Sequence, residues 1–183
     1  MTMWIREGTY HAWATFLRKW SEGAAGDPAG LPALSPADLA GDTWARLTNH
    51  LTEALSQRLT TWSGTLAREL VAAPDEFAAA RALNHARWGL PPIRALASAP
   101  GLPPEVRTRL LDLVDAQIRS VQEQIDQQVR QQRGPGVPAS VVEARLRTVR
   151  DNPLTAVLGD AHPTGGGWSA GPATSPRRRV FPA

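Results

Sequence analysis

The chain has 183 residues, 42% apolar and 20% charged, with seven tryptophans and no cysteine; this suits a folded globular protein and excludes disulfides, thiolate metal sites and cysteine nucleophiles. The formal net charge of +3 equals the contribution of Arg177, Arg178 and Arg179, so the remainder is neutral by the same count. Lys19 is the only lysine, and the calculated pI of about 10.5 reflects arginine in its place, a bias that suggests GC-rich bacterial coding more than a nucleic-acid partner. No apolar run is long enough to span a bilayer, and the start MTMWIREG lacks a signal core, so a cytoplasmic location is expected.

Residues 8–20, GTYHAWATFLRKW, predict an amphipathic helix. Trp13, Phe16, Leu17 and Trp20 fall at i, i+3, i+4 and i+7, which places them on one face, either capping the core or entering a partner's groove. The Gly, Ala and Pro-rich stretch 21–34 reads as an internal loop. Ser35, Pro36 and Asp38 have the chemistry of a helix start. The helix expected there runs to Ala73 with a stripe of Trp44, Leu47, Leu51, Leu55, Leu59, Trp62, Leu66 and Leu70; Gly41 is a place for its first turn to break away, and Thr60–Thr65 a place to bend.

Pro74 ends that helix, and Asp75 and Glu76 open another through FAAARALNHARW to Gly89, whose alanines permit close approach of a neighbour. Two copies of Gly-Leu-Pro-Pro follow, at 89–92 and 101–104, each reading as a stop and restart with a short helical connector between them.

The longest helical signal covers Pro103 to Gln132. Leu111, Val114, Ile118, Val121 and Ile125 alternate three and four apart on one stripe. Its first half is broad and apolar, whereas its second half narrows to Val121, Ile125 and Val129 among glutamines. This is coiled-coil-like, but the β-branched Val114 and Val121 replace the Leu expected of a parallel dimer, so a bundle helix with an exposed docking seam is expected. After a linker, Ser140 and Glu143 form a capping-box pattern, Val142, Leu146 and Val149 point inward, and Leu154, Val157 and Leu158 supply a last packed turn. Residues 159–183 carry many Gly, Pro and Arg and predict a disordered tail.

Catalytic grammar is sparse. His50 and Glu53 share a helix face and His85 sits on the next helix, a weak candidate metal set. Ser63-Gly64 lies in a helical pattern without the strand a nucleophile elbow needs, Asp75 and Glu76 are explained by a helix start, and Gly165–Gly167 opens no helix. Arg177, Arg178, Arg179 and Phe181 combine cations with a stacking ring, which suits nucleic acid.

These readings converge on an all-α protein: an irregular helical bundle of four to five main helices, two of them long and antiparallel, in a single domain over 1–158 with a tail over 159–183. The expected function is that of a non-enzymatic interaction or assembly protein, a scaffold or adaptor without cofactor. It would bind a protein partner or itself through Val121, Ile125 and Val129 and through Trp13, Phe16, Leu17 and Trp20. The alternative is a nucleic-acid accessory protein using the Arg-rich tail; a helical-bundle enzyme or ligand binder comes third.

Overall fold

The computed structural model describes residues 3–132 and 137–161, and these are all-α. The helices are α1 (Met3–Ser21), α2 (Gly41–Ala72), α3 (Glu76–Trp88), α4 (Leu90–Ala97), α5 (Pro104–Gln131) and α6 (Ala139–Asp151). Short 3-10 segments occupy Pro28–Gly30, Pro36–Asp38 and Leu154–Ala161. As the stripes require, α2 and α5 are the two long helices. The start of α3 is explained by Asp75, whose carboxylate accepts a 2.7 Å hydrogen bond from the Ala78 N–H and so satisfies a backbone donor that the first turn leaves unpaired. At the end of α1, Gly23 takes a φ of +105°, a conformation that glycine tolerates without steric cost, and Ala24 N–H bonds back to the Lys19 carbonyl at 3.0 Å.

Cross-helix hydrogen bonds fix the relative sense of the helices. Trp62 Nε1 on α2 donates to the Ala86 carbonyl on α3 at 2.8 Å, and Glu69 lies beside His85, so α2 and α3 form a reversing hairpin. Asn84 of α3 donates to Asn152 at the end of α6. Gln122 of α5 accepts from the Leu154 N–H at 2.8 Å, and Arg145 of α6 donates to Gln132, so α6 runs back along α5. Together these place Trp62 level with Gln122, and the end of α2 level with the end of α5. The two long helices therefore share a direction, where an antiparallel pair was expected. The reason is parity: α3 and α4 together return the chain to the level of Trp13 and Gly101, and α5 then sets out in the sense of α2.

One continuous core spans Trp13 to Leu154. Trp13, Leu17 and Trp20 seat α1 on α2, and the Arg58 guanidinium covers the Trp20 ring at 4.8 Å, a cation–π contact. The 21–34 stretch is pinned over this end. Trp13 Nε1 donates to the Pro32 carbonyl at 2.8 Å and Leu34 N–H to the Gly101 carbonyl at 2.7 Å. A Cβ on Gly101 would stand 2.9 Å from the Pro32 oxygen. Gly101 thus serves a close backbone approach, not the left-handed turn that a helix-stopping glycine usually supplies; neither it nor Gly89 has a positive φ.

Several local expectations are corrected. Ser35 makes no capping bond and opens only the 3-10 turn; α2 begins at Gly41, because the turn lets both Leu34 and Leu39 reach the core. Pro138 leads into α6, which starts at Ala139, so Ser140 lies within the first turn and cannot cap it. The last 3-10 segment runs Leu154–Ala161. Buried Leu154 and a hydrogen bond from Arg94 to the Val157 carbonyl hold that segment, with Asp115 placed 3.6 Å from Arg94.

Candidate functional site

The residues singled out in the sequence are distributed differently from the way a docking surface needs. Val121 and Ile125 are only 6% and 7% exposed and Val129 is half-buried, so the seam expected on the outside of α5 is covered by the chain's own helices. The covering surface comes from α2 and α6, whose apolar stripes need the same partner. Trp13, Leu17 and Trp20 are buried and Phe16 is half-buried against the core. They are core residues, not an accessible aromatic face.

The candidate metal set is not assembled. Because α2 and α3 form a hairpin about residues 73–75, His85 meets Glu69, its Nδ1 2.9 Å from Oε1, far along α2 from His50. His50 and Glu53 instead face His11 across a shallow α1–α2 groove of about 470 Å³. Among the described residues no three His, Asp or Glu side chains lie close enough together to hold a metal ion. Arg177, Arg178, Arg179 and Phe181 lie outside the described residues, as does nearly all of the expected tail.

What the helices do create is a crevice of about 610 Å³ where α2, α3, α5 and α6 come together. Its floor is apolar, built from Leu66 and Leu70 of α2, Val121, Ile125 and Val129 of α5, and Val149 of α6. Its rim is polar, with Gln124, Gln128 and Gln132 along α5, Asp75 and Glu76 at the start of α3, and Arg145 on α6. Size, apolar floor and a few polar groups at the edge are the usual attributes of a binding site.

No family model, curated protein or solved structure matches this chain.

The crevice must therefore be read from its own chemistry, and a second feature points to it. The exposed large apolar side chains among the described residues are Val71 at 89%, Phe77 at 84%, Trp88 at 79% and Val137 at 41%. Val71 lines the crevice itself. Phe77 and Trp88 do not line it: about three helical turns apart, they share the face of α3 opposite buried Ala82, Leu83 and Ala86. Val137 stands just before α6, at the end of the bundle that carries Gln132 and Arg145. A signal for Val71 existed in the sequence, where it adjoins Leu70 but lies off the stripe of Leu59, Trp62, Leu66 and Leu70.

Proposed function

We propose that the protein is a non-enzymatic interaction protein that binds a protein partner at the open end of the bundle, with apolar side chains of the partner entering the crevice between α2, α3, α5 and α6. One observation carries this reading: Val71, 89% exposed, lines an apolar crevice of about 610 Å³ whose rim holds Gln124, Gln128 and Gln132 of α5. Large apolar side chains left in water beside a concave apolar floor, rimmed by polar groups, form the anatomy of a protein interface. Glutamine suits such a rim, because its amide both donates and accepts and so adapts to a partner's backbone.

A photo-crosslinking amino acid placed at position 71 and, as the control, at position 88 tests the reading in cells that express the protein. Protein adducts at position 71 and none at position 88 are expected. Equal adducts at both positions, or none at position 71, would end the proposal, since Trp88 is nearly as exposed as Val71 but does not line the crevice.

A further inference from the structure

Resting on the reading of the crevice as an interface, we infer that it is regulated by the chain itself: its resident occupant is the chain's own segment 177–181, which a partner has to displace. The charged residues lining the crevice are two acids, Asp75 and Glu76, and one base, Arg145. Arg145 is engaged by the Gln132 amide oxygen and Asp75 by the Ala78 N–H, whereas Glu76 makes no ion pair among the described residues. The rim thus offers a carboxylate to a cation, beside a floor that takes apolar side chains. Segment 177–181 supplies both in succession: Arg177, Arg178 and Arg179, then Val180 and Phe181. No other stretch of the chain has three successive cations, and these three equal its whole formal excess of +3. Such complementarity selects one occupant over its rivals.

The segment also has the reach. Leu154 N–H is bonded to Gln122, within a turn of Val121 and Gln124 in the crevice lining, and the described chain ends at Ala161. The 16 residues from there to Arg177 span up to about 50 Å when extended. That exceeds the roughly 42 Å length of the 28 residues of α5, so the crevice is accessible from any point on the bundle. A tethered segment meets its site at an effective concentration in the mM range. Modest contacts therefore suffice to hold it, and a partner binds only when its own affinity overcomes that internal competitor.

The purified full chain, with the photo-crosslinking amino acid at position 71, tests the occupant. After irradiation at low concentration, mass spectrometry of the digested protein is expected to find a link from position 71 to the peptide holding Val180 and Phe181. Reversing the segment's charge with Arg177→Glu, Arg178→Glu and Arg179→Glu together is expected to cut the yield of that link severalfold, and Glu76→Arg alone to cut it as well. Combining all four sets acid against base again, and the link is expected to return; that recovery also shows that the variants are folded. In cells, ending the chain after Pro176 is expected to raise the yield of partner adducts from position 71 severalfold. Absence of the link in the unmodified chain overturns the inference, as does a link that survives charge reversal. A link joining isotope-labelled to unlabelled protein in a mixture overturns it too, by making the occupant a second copy. Partner adducts of equal yield from the full and shortened chains remove the regulation and leave the interface reading standing. The internal link without partner adducts from either chain ends the interface reading and with it the regulation.

Discussion

At one end of the bundle a long connection is laid over the helices. Residues 22–40 run across the level of Trp13 and Gly101, Pro32 accepts the Trp13 indole N–H, Leu34 bonds to the Gly101 carbonyl, and Leu34 and Leu102 are buried. At the other end α2 passes to α3 through three residues, Ala73 to Asp75, and the four helix ends meet around a crevice bordered by exposed Val71. Both ends draw on the same apolar stripes. The difference is the connecting segment: a long one has side chains and backbone enough to seal an end, and a three-residue one has neither. Sealing converts apolar surface into stability, whereas leaving it open keeps that surface for a partner.

The largest expected effect comes from breaking the sealed end. Trp13 is fully buried and its N–H is the donor that fixes Pro32, so Trp13→Ala removes packing and strands a carbonyl. Loss of about 3–5 kcal/mol is expected on the scale of large aromatic truncations, read by urea unfolding.

Next comes a comparison within a single helix. Ile118 and Ile125 lie two turns apart on the same stripe of α5, the first fully buried and the second 7% exposed on the crevice floor. Truncating isoleucine to alanine in a core costs about 2–5 kcal/mol, more where the surroundings cannot relax or admit water. Ile118→Ala is expected near the upper figure and Ile125→Ala near the lower. Equal losses in urea unfolding would mean that the crevice is closed in solution.

That pair also shows what is legible in the sequence and what is not. The stripe of α5 is legible because helical period depends on neighbouring residues alone, and the same holds for the capping Asp75 and the boundaries of α3. The second half of α5 reads as an outer seam because Val121 and Ile125 stand among glutamines, yet burial depends on which distant helices arrive. Here α6 covers the stripe, an event fixed by a connection some way along the chain. The shared sense of α2 and α5 is hidden for a related reason: it follows from counting reversals, and α4 has to be recognised as part of the return arm. Trp13 and Trp20 mark one face of α1, but only the packing of α1 on α2 decides that the face points inward. The crevice itself has no local signature, since no stretch of sequence contains it.

A smaller effect, opposite in sign at two positions of α3, would sharpen the contrast. Ala79 borders the crevice, whereas Ala86 is buried and lends its carbonyl to Trp62. Ala79→Leu adds methylenes to space that already exists and is expected to stabilise by up to about 1 kcal/mol, given roughly 0.8 kcal/mol for each CH₂ removed from water. Ala86→Leu crowds a filled site and is expected to cost about 1–3 kcal/mol. Thermal unfolding of the two variants side by side reads the sign directly.

The smallest expected change in stability carries the most functional meaning. Val71 is 89% exposed in the last turn of α2, where its side chain rests on little of its own chain. Serine and valine have nearly equal helix propensity, so Val71→Ser is expected to leave the unfolding free energy within about 0.5 kcal/mol of the original, as surface changes usually do. An apolar side chain that adds little to the fold, yet lines an apolar crevice, gains its stabilising contacts only when another surface covers it. The substitution should therefore separate two properties that Trp13→Ala destroys together, keeping the fold and weakening capture of a partner. A marked loss of stability would show instead that Val71 already packs within its own chain, and the open end would then be as sealed as the other.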